Sequence, residues 1–69
     1  MDKAITKENE FTQIMTVGEA ATMLRVPKSW IYERTRRRGA EQIPHKKLGK
    51  YLRFQENALR IWFTNLPEN

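Results

Sequence analysis

No cysteine occurs in the chain, so neither a disulfide framework nor a thiolate metal site can hold it together. No apolar run approaches the roughly 20 residues of a membrane-spanning helix, and Met1-Asp2-Lys3-Ala4 lacks the apolar core of a signal peptide. The expectation is a soluble, cytoplasmic protein. The single histidine, His45, has no cysteine and no facing pair of acids beside it, so neither a metal nor another cofactor is expected. An ordinary loop or strand-edge role suits it. There is no nucleophile-base pair, no phosphate-cradling glycine loop and no grouping of acids, so an enzyme is not expected either. Internal repeats and low-complexity tracts are also missing. At 69 residues, what remains must fold as one domain around one thin core.

Acidic charge is scarce where basic charge is dense. Ten basic residues lie between Arg25 and Arg53: Arg25, Lys28, Arg34, Arg36, Arg37, Arg38, Lys46, Lys47, Lys50 and Arg53. Only Glu33 and Glu41 oppose them, a net +8; the whole chain is +5, so the other 40 residues carry −3. Such asymmetry within one small domain points to a polyanionic partner. The bland alternative is a solvated basic surface without a ligand. An anionic membrane surface would want an amphipathic helix with exposed bulky apolars, and none is obvious.

Residues 1–14 read as a flexible leader, polar and mixed in charge without a sustained period up to about Gln13. The folded domain is expected over 15–64, with 65–69 as a tail. Thr16-Val17-Gly18-Glu19 is a capping box at a helix start, with Met15 placed to staple against Ala20. Val17, Ala20, Ala21 and Leu24 mark one face of this helix, and the small alanines let a second helix approach. It should end near Leu24 or Arg25, since Pro27 turns Val26 away from helical backbone. Pro27 can then open a second helix, running to about Arg38 with Gly39 as its stop. Ile31 and Thr35 share its inner face with Pro27 and the stem of Arg38. Ser29, Glu33, Arg36 and Arg37 lie opposite, with Trp30 and Tyr32 on the flanks. Two short helices joined by about three residues, the second basic outside, make the layout of a helix-turn-helix.

Between Ile43 and Phe54 the period changes. Lys46-Lys47-Leu48 and Tyr51-Leu52-Arg53-Phe54 flank the turn Gly49-Lys50, and glycine at the first turn position suits a type II′ hairpin. Alternation along the strands suggests Leu48, Leu52 and Phe54 inward, with Lys47, Tyr51 and Arg53 outward. A last amphipathic helix is expected from about Glu56 to Phe63, with Leu59, Trp62 and Phe63 as its apolar stripe. The fold class is mainly α with a small β-hairpin: a winged helix-turn-helix with a C-terminal helix.

This ordered set resembles the excisionase-type helix-turn-helix family, whose winged fold also occurs in MerR-like regulators. The stretch from Met15 to Phe63 carries the resemblance. Its residues are Met15-Thr16-Val17, Glu19-Ala20-Ala21, Leu24, Val26, Ser29, Ile31-Tyr32, Ile43-Pro44, Leu48-Gly49-Lys50, Arg53-Phe54, Leu59 and Trp62-Phe63. The resemblance implies binding of duplex DNA at specific sites. The second helix, about 27–38, would enter the major groove, and the wing, about 46–54, would lie on the adjacent minor groove or backbone. Members serve as recombination directionality factors and as phage or plasmid regulators. Two departures stand out: Pro27 replaces a helix-capping serine, and the loop from Gly39 to Ile43 is a residue or two longer than usual.

The candidate DNA-binding residues are Lys28, Ser29, Tyr32, Glu33, Arg36, Arg37, Lys47, Lys50, Tyr51 and Arg53. Lys28 and Ser29 occupy the first turn of the second helix, where side chains and amides meet DNA first. Arg37 is a candidate phosphate clamp and Arg36 a base or phosphate contact, against the bland reading of a basic helix end favoured by the dipole. Glu33 could accept from a cytosine amine, but pairing with Arg36 or Arg37 at helical spacing suits it better. Tyr32 and Trp30 could pack on sugars or fill the core flank. Arg34 and Arg38 point nearer that flank, where their stems can cover apolar surface. Lys47, Lys50, Tyr51 and Arg53 form the outward wing face, either contacting phosphate or guarding a strand edge.

Double-stranded DNA is the expected partner, joined by an integrase or recombinase, or by further copies of the chain on DNA. A monomer is expected in free solution, and no membrane. The alternatives are a protein-interaction adaptor, which the +8 segment disfavours, and an RNA-binding module. The latter would want exposed aromatics across a sheet.

Overall fold

Thr16 and Glu19 satisfy each other's backbone amides at the start of helix α1 (Val17–Leu24). Glu19 N donates to Thr16 Oγ1 at 3.2 Å and Thr16 N donates to Glu19 Oε1 at 2.9 Å. The expected capping box is therefore present in the computed structural model, which describes residues 13–68. The leader expected over 1–14 lies, up to residue 12, outside the described residues. Helix α1 stops at Arg25, whose left-handed φ of 60° lets Val26 N reach Ala21 O at 3.0 Å.

Helix α2 (Lys28–Thr35) starts after Pro27, which is the N-cap rather than the first helical residue. It is shorter than the expected 27–38, and Arg36, Arg37 and Arg38 lie beyond its last helical residue. The reason is tertiary. Ile43 N donates to Arg34 O at 3.2 Å and Gln42 Nε2 donates to Thr35 O at 3.2 Å. The returning loop thus satisfies carbonyls that a further helical turn would have used. Gly39 does not end the helix; at φ +70° it opens a separate 3₁₀ turn, Gly39–Glu41.

The hairpin consists of β2 (Lys46–Leu48) and β3 (Tyr51–Gln55), joined by Gly49 at φ +63° and Lys50. Positive φ at Gly49 and not at Lys50 fits the expected type II′ turn. Its register pairs Leu48 with Tyr51, Lys47 with Leu52 and Lys46 with Arg53. Directly opposed residues share a face, so Leu48 goes outward with Tyr51 and Arg53, and Lys47 goes with Leu52. The expected placement of Leu48 inside, and of Lys47 on the outer face with Tyr51 and Arg53, is overturned; Leu48 is 58% exposed and Lys47 stands on the face of Leu52. A two-residue turn forces this register, and alternation along each strand taken separately misses it.

A third strand, β1 (Ile14–Met15), pairs antiparallel with β3, Met15 opposite Phe54 and Ile14 opposite Gln55. The sheet order is β1-β3-β2. Helix α3 (Glu56–Asn65) follows β3 directly, and its first amide, Glu56 N, donates to Gln13 O at 2.9 Å. The residue just ahead of β1 therefore supplies an acceptor to the start of the last helix.

Met15, Val17, Ala20, Ala21, Ile31, Ile43, Phe54 and Leu59 form the core, flanked by Met23, Leu24, Val26, Trp30, Leu52 and Trp62. All elements but β2 and the Gly39–Glu41 turn contribute to it. Phe63, expected within the apolar stripe of the last helix, is 61% exposed. It sits a turn beyond Leu59, where α3 has run past the core and Phe63 borders a shallow groove with Met23, Leu24, Arg25 and Arg60. No helix of the described residues is long and apolar enough to cross a membrane.

Candidate nucleic-acid interface

At 100° per residue, Ser29 and Glu33 fall opposite the buried Ile31 on α2, Tyr32 stands on a flank, and Arg36 follows the last helical residue. Ser29 and Arg36 are exposed, and Tyr32 is 44% exposed. The two aromatic flanks therefore part company. Trp30 packs on the core edge-on to Trp62, with ring centroids 6.3 Å apart, while Tyr32 faces solvent. Lys28 is exposed in the first turn, and its stem lies against α1. A Cβ added to Gly18 would come within 3.3 Å of Lys28 Cε. The bare backbone at Gly18 is what lets this stem lie flat.

The helix end carries the acidic partners. Glu33 and Glu41 hold Arg37 between them, with Arg37 Nη2 2.7 Å from Glu33 Oε2 and Nη1 2.6 Å from Glu41 Oε1. Hydrogen bonding to Glu33 and then attraction to its charge raise the Arg37 pKa above its ordinary value; desolvation opposes them, and weaker contributions of both kinds from Glu41 add to the rise. Of the two expected roles for Glu33, pairing with a neighbouring arginine is the one observed. Arg34 stacks its guanidinium on Trp30, 4.6 Å from the ring centroid, and its Nη1 lies 3.5 Å from Glu41. Its guanidinium thus covers the Trp30 ring at the core flank. Arg38, in extended backbone, is exposed and does not.

On the wing, Lys47, Lys50 and Tyr51 are exposed. Lys50 Nζ and Arg53 Cζ lie 5.8 Å and 5.4 Å from the Tyr51 ring centroid, and Arg53 Nη1 donates to Leu52 O at 2.8 Å. Two cations thus flank one aromatic ring on the outer face. Of the ten basic residues between Arg25 and Arg53, only Arg34 and Arg37 have an acidic partner among the described residues. The open cations of that segment are divided between α2 with its flanks and the hairpin.

Residues 14–67 match the model of a helix-turn-helix domain family of excisionase-like DNA-binding domains. The chain belongs to that family. No curated protein and no solved structure matches the chain significantly.

In this helix-turn-helix domain α1 and α2 are the paired helices, with Arg25 and Val26 turning the chain between them. Such a domain binds DNA, and its second helix is the one that enters the major groove. Sequence reasoning did not single out Glu41, Arg38 or Lys46 as site residues. For Arg38 and Lys46 the signal was charge beside the named positions. For Glu41 the signal was its spacing of four from Arg37. His45 is half-buried, its Nδ1 2.8 Å from Ile43 O, and its ring lies 6.4 Å from that of Phe54. No group of three or more His, Cys, Asp or Glu among the described residues could hold a metal ion.

Proposed function

We propose that this helix-turn-helix protein binds duplex DNA sequence-specifically in the cytoplasm, as an excisionase-like recombination accessory factor or a small phage- or plasmid-type transcriptional regulator. The function is binding, without catalysis. Helix α2 lies in the major groove, presenting Lys28, Ser29, Tyr32 and Arg36. The wing lies on the adjacent minor groove or backbone, presenting Lys50, Tyr51 and Arg53 at its tip and outer face, with Lys47 exposed on the other face. The observation that carries this reading is the open outer face of α2: polar, cationic at both ends, and opposite the buried Ile31. Titrating a labelled duplex at several salt concentrations tests it, because phosphate contacts release counterions.

Single DNA-binding modules bury roughly 600–1,000 Å² of protein surface, too little for high discrimination alone. The active form on DNA is therefore two or more copies on adjacent sites, or one copy beside an integrase, while the free protein is monomeric. Exposed Ile14, Ile61 and Phe63 supply apolar surface for such neighbours. Footprinting with analytical ultracentrifugation on a cognate site measures the stoichiometry. One domain holding one site at nanomolar affinity in physiological salt, without a neighbour, would refute multiple occupancy.

A further inference from the structure

Of the consecutive arginines Arg36, Arg37 and Arg38, only Arg37 has acidic partners among the described residues. Its Nε donates to Glu33 Oε2 at 2.9 Å, its Nη2 lies 2.7 Å from the same oxygen, and its Nη1 donates to Glu41 Oε1 at 2.6 Å. All three guanidinium nitrogens are turned to carboxylates. The forked edge that an arginine offers to a phosphate is thereby occupied.

Glu41 reaches this place on a fastened loop. Gly39 at φ +70° opens the turn, and Gln42 N donates to Gly39 O at 3.1 Å. Gln42 Nε2 binds Thr35 O, Trp62 Nε1 donates to Ala40 O at 2.9 Å, and Ile43 is fully buried just beyond. The loop thus delivers a carboxylate to the end of α2. The pairs themselves stay accessible, with the Arg37, Glu33 and Glu41 side chains 43%, 44% and 55% exposed. Salt and water weaken such pairs, so they can exchange for a phosphate.

We propose that Glu41, together with Glu33, is a positioning residue that withholds Arg37 from the DNA backbone and so holds down sequence-independent affinity. The inference rests on the DNA-binding reading above. Non-specific attachment grows with the number of phosphates neutralised. An arginine whose fork is filled by carboxylates adds less to it than a free one, while Arg36 and the wing cations remain open.

The test titrates the full chain against a labelled random-sequence duplex over a range of salt. Glu41→Gln keeps the shape and removes the charge. It is expected to tighten binding about three- to tenfold at low salt and to steepen the log–log salt slope by about one. Glu33→Gln carries the same expectation from the other side of the guanidinium. In an Arg37→Ala background, Glu41→Gln is expected to change neither quantity. An equal gain in both backgrounds would trace to net charge and overturn the proposal, as would an unchanged slope in Glu41→Gln. A wild-type protein that ignores the duplex at every salt would overturn the DNA-binding reading as well; failure confined to the variants overturns this inference alone.

Discussion

Trp62 Nε1 donates to the carbonyl of Ala40 at 2.9 Å, tying the last helix to the loop that follows α2. The same indole meets Trp30 of α2 edge-on. One side chain therefore sets the distance between α3, α2 and the Gly39–Glu41 turn. Trp62→Phe, which loses the donor and leaves a ring, should cost about 1 kcal/mol. Trp62→Ala should cost about 2–4 kcal/mol, a large share of the stability of so small a domain. Thermal unfolding measures both; native-like melting of the alanine variant would show that α3 is not held by this residue.

The register of the wing makes a contrasting pair. Leu48→Lys replaces an outward side chain and should change stability by no more than about 0.5 kcal/mol. Phe54→Ala removes a ring buried against Met15 across β1 and β3, and should cost about 3–5 kcal/mol. Equal and large losses in urea unfolding would mean that Leu48 packs inside and the register is wrong.

Binding to duplex DNA should fall steeply with salt. If about five phosphates are neutralised, the log–log slope is about −4 to −5. A slope shallower than about −2 would count against the whole interface.

Helix and wing should separate by mutation. Lys50→Ala, at the hairpin tip, should weaken cognate and random duplex alike and reduce the salt slope by about one. Arg36→Ala should cost about 1–3 kcal/mol on a cognate site and less on random DNA if its guanidinium reads a base. Equal losses on both would assign Arg36 to the backbone.

Much of this was legible because it is local. Thr16 and Glu19 are three residues apart, and the helix start they make needs nothing else in the molecule. Gly49-Lys50 between two short runs announces its hairpin through backbone sterics alone. The concentration of cations between Arg25 and Arg53, and with it the expectation of a polyanionic partner, is simple counting. The ordered motif that the family match covers is likewise written along the chain.

What tertiary structure decided depends on partners far apart in sequence. Strand β1 is two residues long and carries no period of its own; it exists because Met15 and Ile14 find Phe54 and Gln55, about forty residues on. Helix α2 could have run to Arg38 by its own preferences. It stops at Thr35 because Gln42 and Ile43 come back to take its last carbonyls. That early stop frees Gly39 to make a turn, and the turn brings Glu41 to Arg37. Local chemistry named the arginines, and only the packing of the loop decided which of them is held by carboxylates.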